Sequence, residues 1–162
     1  MYTAKHARLY KHKVHDGQAY IFYMDIRSTG KGYEEFIQQG MEEEGILYLR
    51  GRVSRIFRDG EKVVVWGADT LTGKKVEVFA DMVVLATAIV SQKDTKDLAG
   101  KLGIKTDEYG FLTEAERKLR PVETDIEGIY IAGCAQGPKD IADAVAHANA
   151  AASKVQGLFA RH

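Results

Sequence analysis

The chain has 162 residues, 45% hydrophobic and 28% charged, and its 23 lysines and arginines balance 23 aspartates and glutamates to a formal net charge of zero. That is ordinary globular composition, enough for one domain or two small lobes with a real core, and it excludes both the basic excess of a nucleic-acid binder and the charge of a disordered chain. A single cysteine, Cys134, excludes an internal disulfide, and no Cys-x-x-Cys or Cys/His group is present to hold zinc or an iron–sulfur cluster, which favours a reducing, cytoplasmic setting.

MYTAKHARLYKHKV (1–14) reads as a helix that begins without a cap or leading strand, as though the chain were cut inside a larger unit. Lys5, Arg8, Lys11 and Lys13, with no acid among them, have the look of a transit peptide, but Tyr2, Leu9, Tyr10 and Val14 suit a surface helix, and that reading is preferred. QAYIFYMDIR (18–27) is rich in β-formers throughout, as expected of a parallel strand covered on both faces, and ends at Asp25 and Arg27. After STGKG, the residues Tyr33, Phe36, Ile37, Gly40 and Met41 fall on one face of a helix that Gly45 stops. Glu42, Glu43 and Glu44 in its last turn oppose the macrodipole, so this end is expected to be well solvated.

From Ile46 the pattern turns strand-like. ILYLRGRVSRIFR, a turn at Asp59-Gly60, KVVVWGAD, a turn at Thr72-Gly73 and KKVEVFA predict a strand followed by a three-stranded antiparallel meander. DMVVLAT then predicts a final buried strand at 82–87. The longest apolar runs, such as MVVLATAIV (82–90), are far short of the roughly 20 residues that span a membrane. Residues 91–128 are polar and turn-rich, with a short helix predicted at 94–101, and two lobes are expected to join near residues 88–92.

The stretch IYIAGCAQGPKDIADAVAHANAAA (129–152) combines a short apolar strand, a glycine turn and a helix. Gly133 and Gly137 allow close backbone approach, and Pro138 suits a first helical turn. A helix starting at Lys139 would aim its free N–H groups and positive dipole end at whatever lies over the turn, favouring phosphate or a carbonyl gaining negative charge. The alternative is a tight connection used only for packing. Cys134 at a helix start gains thiolate character, but without a resolving cysteine it reads better as a small hydrophobe. His147, one helical turn after Asp143, reads as a surface or packing residue, and His6, His12 and His15 lack the carboxylates or cysteines of a metal site. Asp25 occupies the place of a ribose-binding acid in a dinucleotide unit, but no G-x-G-x-x-G precedes it, so pairing with Arg27 or a neighbour is preferred.

Taken together, MYTAKHA, YIFYMDIRSTGKGYEEF, DMVVLAT and KLRPVETDIEGIYIAGCAQGPKDIADAVAHANAAA, in this order, resemble the A subunit of heterodisulfide reductase, the iron–sulfur flavoprotein of methanogens and related anaerobes. The resemblance runs along essentially the whole chain and is most specific at Tyr20–Phe36 and Gly133–Asp140. It implies an α/β fold of the FAD/NAD(P)-binding, thioredoxin-reductase-like kind, incomplete here. Residues 1–87 would be a partial NAD(P)-binding-like inserted domain with its β-meander, and residues 88–162 the C-terminal segment of the FAD-binding domain. The implied cofactor is FAD in a full-length parent, with 4Fe-4S clusters ligated outside this chain, and the isolated piece is expected to be inactive and free of tightly held FAD.

Carried over residue by residue, the resemblance places Thr87 and Ala88 in the loop beside the cofactor, with Ala88 where the family usually has glycine. It places Gly133, Cys134, Gln136 and Gly137 against the ribityl chain, with Cys134 where related reductases carry aspartate. Lys139, Asp140 and Ile141 fall at the helix start facing the isoalloxazine, where dipole and cation stabilise the reduced ring. No catalytic or metal-binding residue is assigned. The implied partners are the other components of heterodisulfide reductase, a hydrogenase or formate-linked donor and ferredoxin, with no nucleic acid and no membrane. The implied role is electron transfer toward the coenzyme M–coenzyme B heterodisulfide in methanogenesis. The alternatives are an NAD(P)H-dependent pyridine-nucleotide disulfide oxidoreductase and a non-catalytic subunit-docking module.

Overall fold

The computed structural model describes residues 1–160; the last two positions of the C-terminal segment expected at 88–162 lie outside them. The protein is α/β, with a two-stranded parallel sheet and a three-stranded antiparallel one. It divides into two compact units, Met1–Ala86 and a second beginning at Thr87.

In the first unit, helix α1 (Tyr2–Lys13) precedes strand β1 (Tyr20–Tyr23), helix α2 (Tyr33–Glu42) and strand β2 (Leu47–Arg50). β1 and β2 pair in parallel, from Tyr20 with Leu47 to Tyr23 with Arg50. The strand expected over 18–27 is therefore shorter, closing before Asp25, whose carboxylate lies 3.8 Å from the Arg50 guanidinium and not beside Arg27. ILYLRGRVSRIFR is two strands: after β2 the chain turns at Gly51-Arg52 and begins the meander of β3 (Val53–Asp59), β4 (Lys62–Asp69) and β5 (Lys74–Ala80). Asp59 pairs with Lys62, so the first hairpin loop is Gly60-Glu61, one residue later than expected, with Gly60 at φ +59°. The second loop is fastened by Asp69, which accepts from Leu71 N at 3.0 Å and Thr72 Oγ1 at 2.8 Å. Val64 and Val65 are both buried, but Lys62, Trp66 and Ala68 on the Val64 face are exposed, so β4 is covered mainly on the face of Val65 and Gly67; Ile21, Ile37, Ile46 and Val78 belong to the same core.

The end of α2 is solvated at Glu42 and Glu43, as expected, but not at Glu44. Arg8 of α1 donates to Glu44 Oε1 from Nε at 2.7 Å and stacks over Phe36 at 4.2 Å, and His12 lies 3.3 Å from the same oxygen. Glu44 is left with a side chain only 14% exposed. A cation from another helix thus neutralises an acid that the macrodipole disfavours. Burial pushes the Glu44 carboxyl up, but hydrogen bonds from Arg8 and His12 and their charges outweigh it and hold the group below its ordinary range. A lowered folded value means that stability from this group is complete above the ordinary carboxyl range and is lost as pH falls through the folded value. The difference in urea midpoint between the parent chain and Glu44→Gln is therefore expected to be present at neutral pH and to vanish in acid; equal midpoints at neutral pH would contradict this.

In the second unit, helix α3 (Thr95–Leu102) ends at Gly103, φ +71°, and helix α4 (Ile141–Phe159) closes the described chain. Between them the backbone runs in turns tied by single bridges, including Glu123 to Tyr130. Ile104, Phe111, Val122 and Ile131 form the core with Thr124, a buried polar residue whose hydroxyl lies within hydrogen-bonding reach of the Ile126 and Ile129 carbonyls and of Ile126 N. The apolar strand expected before the glycine turn is thus a single antiparallel bridge. DMVVLAT forms no strand either: residues 82–90 lie outside every element, with Met82 77% and Val84 74% exposed. A buried strand needs a hydrogen-bonded neighbour, and residues 1–160 provide none for this run. Among the described residues no helix is long and apolar enough to cross a membrane.

Candidate functional site

The glycine turn is shaped by its backbone. Ala132 is extended, Gly133 takes φ +60°, and Gly133–Ala135 coils into a single 3-10 turn anchored by Leu112 N donating to Ala135 O at 2.9 Å. A left-handed φ disfavours any side chain at Gly133. A Cβ built on Gly133 or Gly137 would meet nothing within 4 Å, so both glycines border open space.

The helix begins two residues later than expected. Asp140 is its N-cap, with an extended backbone and a carboxylate that accepts from Asp143 N at 2.8 Å, and Ile141 is the first helical residue. Pro138 therefore precedes the cap and is not in the first helical turn. The N–H groups of Ile141 and Ala142 are the first-turn donors for which the helix has no acceptor of its own. Ile141 is 82% exposed.

Behind the turn lies a connected set of polar side chains. Gln136 Nε2 donates to Glu114 Oε2 at 2.7 Å and to Pro121 O at 3.2 Å, while Lys139 Nζ donates to Gln136 Oε1 at 2.8 Å. His147 does not pair with Asp143: its Nε2 lies 3.1 Å from Pro121 O, a group that only accepts, so Nε2 carries the hydrogen. Glu114 and Gln136 also line an open polar cleft of about 460 Å³ with Asp107, Thr113 and Arg117. The exposed Cys134 thiol makes one long contact, 3.8 Å to Lys139 O. Thr87 and Ala88 are exposed and lie outside every element. The structure thus gathers residues 133–141 at one turn. Both ends of the Gln136 amide are already engaged, so ligand atoms over the turn would meet backbone N–H groups and the Lys139 ammonium rather than that side chain. Glu114 and Pro121 escaped the sequence reading, for they lie in a polar segment where no local pattern announces a partner 22 residues away.

Among the described residues no group of three or more His, Cys, Asp or Glu side chains is placed to hold a metal ion. No family model matches the chain. Comparison with curated proteins is more informative. A protein of Methanococcus maripaludis, named as the A subunit of an H(2)/formate:CoB-CoM heterodisulfide,ferredoxin reductase, is 46% identical over 98% of this chain and 25% of its own length. A protein of Archaeoglobus profundus, named as like the A subunit of heterodisulfide reductase, is 48% identical over 99% of this chain and 23% of its own length. This chain is related to the A subunit of heterodisulfide reductase. A third such relative, the iron-sulfur A subunit of the CoB--CoM heterodisulfide reductase of Methanocaldococcus jannaschii, is 46% identical over 98% of this chain and 25% of its own length. The match to heterodisulfide reductase takes in both compact units, and the resemblance seen at Tyr20–Phe36 and Gly133–Asp140 is thereby upheld along nearly the whole sequence. The chain spans about a quarter of the length of these relatives.

Proposed function

We propose that this chain is one part of a flavin- and iron–sulfur-dependent oxidoreductase, the A subunit of a heterodisulfide reductase, and that its glycine turn forms one side of an FAD site. The carrying observation is the 46% identity over 98% of the chain to a protein named in that way. On this reading residues 1–87 belong to an inserted NAD(P)-binding-like domain and residues 88–162 to the end of the FAD-binding domain. The iron–sulfur clusters are ligated elsewhere in the parent protein, since one cysteine cannot hold one.

The residues at the turn fit such a cofactor. Gly133 and Gly137 leave open space where a Cβ would otherwise stand, and Lys139 is held by a neutral amide oxygen, so its charge is available to a ligand. FAD would supply the electron-accepting and electron-donating ring. The chain supplies unpaired N–H groups of Ile141 and Ala142, the positive end of α4 and the Lys139 ammonium, all of which favour negative charge developing on that ring. Cys134 and Gly137 would line the sugar chain by backbone contact, Asp140 would hold the helix start in place, and Ile141 would cover apolar ring surface. Thr87 and Ala88 would form the opposing loop. Coenzyme M–coenzyme B heterodisulfide reduction with electrons from H2 or formate, ferredoxin and sister subunits are proposed as the setting because the relatives' names carry them; a hydrogenase or formate-linked donor and a cytoplasmic location are proposed with them.

Absorbance of the full-length protein tests the proposal. A flavin spectrum with a broad iron–sulfur band is expected, while this 162-residue chain alone should be colourless, because one side of a two-sided site offers too few contacts to order a large ligand. A full-length protein showing neither chromophore would end the reading; flavin without the iron–sulfur band would favour a pyridine-nucleotide disulfide oxidoreductase.

A further inference from the structure

The flavin reading gives no role to Glu114, whose side chain is only 12% exposed. Its carboxylate lies one side chain away from Lys139: Glu114 Oε2 accepts from Gln136 Nε2 at 2.7 Å, and Gln136 Oε1 accepts from Lys139 Nζ at 2.8 Å. The orientation of the Gln136 amide follows from its partners. The Glu114 carboxylate and the Pro121 carbonyl, at 2.7 and 3.2 Å, can only accept, so the NH2 group must face them. The amide oxygen is then turned toward Lys139, which can only donate. His147, donating to the same Pro121 carbonyl, fixes that acceptor from the helix side.

We infer that Glu114 is a positioning residue: by locking the Gln136 amide it holds the Lys139 ammonium at the glycine turn, where the cofactor ring receives electrons. The last clause rests on the proposed flavin site; the relay itself does not. Lysine is a compact charge on a flexible four-carbon stem, and without a fixed acceptor it would spend its time in solvent. A neutral amide between carboxylate and ammonium places the cation without pairing it directly with an opposite charge, which would cancel the field it is there to provide. Glu114 stays ionised in this role. Burial pushes its carboxyl up, but hydrogen bonds from its own backbone N–H and from Gln136, with the charges of Arg117 and Lys139, hold it below the ordinary carboxylate range.

Two measurements separate the relay from the flavin reading. In the cofactor-free chain, the two Gln136 amide protons should resonate away from the values of a solvated glutamine and respond to Lys139→Met. Glu114→Ala should collapse them toward the values of a solvated glutamine and shift the Lys139 ε-methylene signals, whereas Glu114→Gln, whose amide oxygen can still accept, should preserve both. Gln136→Leu, similar in volume, provides the same loss of Lys139 order if Glu114→Ala fails to fold. Unchanged Lys139 signals in Glu114→Ala and Gln136→Leu would overturn the inference. In the full-length flavoprotein, Glu114→Ala should lower the flavin midpoint potential as Lys139→Ala does, and the double variant should lower it no further. A mere through-space effect has the opposite sign, because removing a carboxylate would raise the potential. An unchanged or raised potential alongside a disrupted NMR relay would overturn the placement of Lys139 at the flavin, and with it the positioning role, while an intact flavin spectrum would leave the flavin site itself standing.

Discussion

Gly137→Val, introduced into the full-length protein, should yield soluble, natively folded protein that binds flavin about tenfold to hundredfold more weakly, the loss expected when a branched side chain costing about 1–3 kcal/mol occupies ligand space. Gly137 is the better probe of the two turn glycines. Its φ is not left-handed, and a Cβ there meets no atom within 4 Å, so the backbone accepts a side chain at this position without the penalty that Gly133 carries. Gly133 also faces open space, but at φ +60° any side chain strains the backbone with or without a ligand, so flavin loss there has two explanations. Measuring flavin per polypeptide alongside circular dichroism decides the matter: unaltered flavin content in Gly137→Val means that the turn is a packing connection and not a cradle.

Gly51→Ala should be the most damaging single-methyl change in the first unit. A Cβ at Gly51 would lie 1.7 Å from Ala68 O and 2.9 Å from Ala68 C, so backbone of β4 must move. It cannot move freely. Thr70 N and Thr70 Oγ1 both donate to Arg50 O, at 2.7 and 2.8 Å, and Gly51 N donates to Tyr23 O at 2.7 Å, so the β2–β3 turn is tied at once to the end of β1 and to the loop that follows β4. The expected loss is about 3 kcal/mol, the upper end of overpacking costs, read as a fall in urea midpoint. Gly100→Ala in α3 is the control: nothing lies within 4 Å of its Cβ, and alanine there should gain about 0.5–1 kcal/mol from helix propensity. Similar midpoints for Gly51→Ala and the parent chain would mean that the close approach to Ala68 is readily relaxed.

Features written in neighbouring residues were legible in the sequence. The meander follows from alternating runs around Gly60 and Gly73, and α2 from apolar spacing with a glycine stop at Gly45, because these signals act within a few residues; the short helix expected at 94–101 lies within one residue of α3. Misreadings arose where a distant partner decides. Glu44 is neutralised by Arg8, 36 positions away, which no local dipole argument contains. DMVVLAT carries the apolar content of a buried strand, but strand formation depends on neighbours that apolar content does not specify. At the glycine turn, the sequence located the turn and the start of α4 to within two residues, whereas the fates of Gln136 and His147 depend on Glu114 and on the carbonyl of Pro121, a backbone atom without a side-chain signature.

The two sheets of the first unit also differ in how far apart their strands lie along the chain. Asp59 meets Lys62 and Asp69 meets Lys74, so the meander can zip from its turns in microseconds. Tyr20 meets Leu47 only after the whole of α2 has been traversed, and the loop-closure entropy of that crossover must be met before any contact rewards it. The hydrogen bonds of Thr70 to Arg50 tie β2 to the meander as well, so β2 belongs to both the local and the long-range part of the unit, whereas β1 is held by long-range pairing alone.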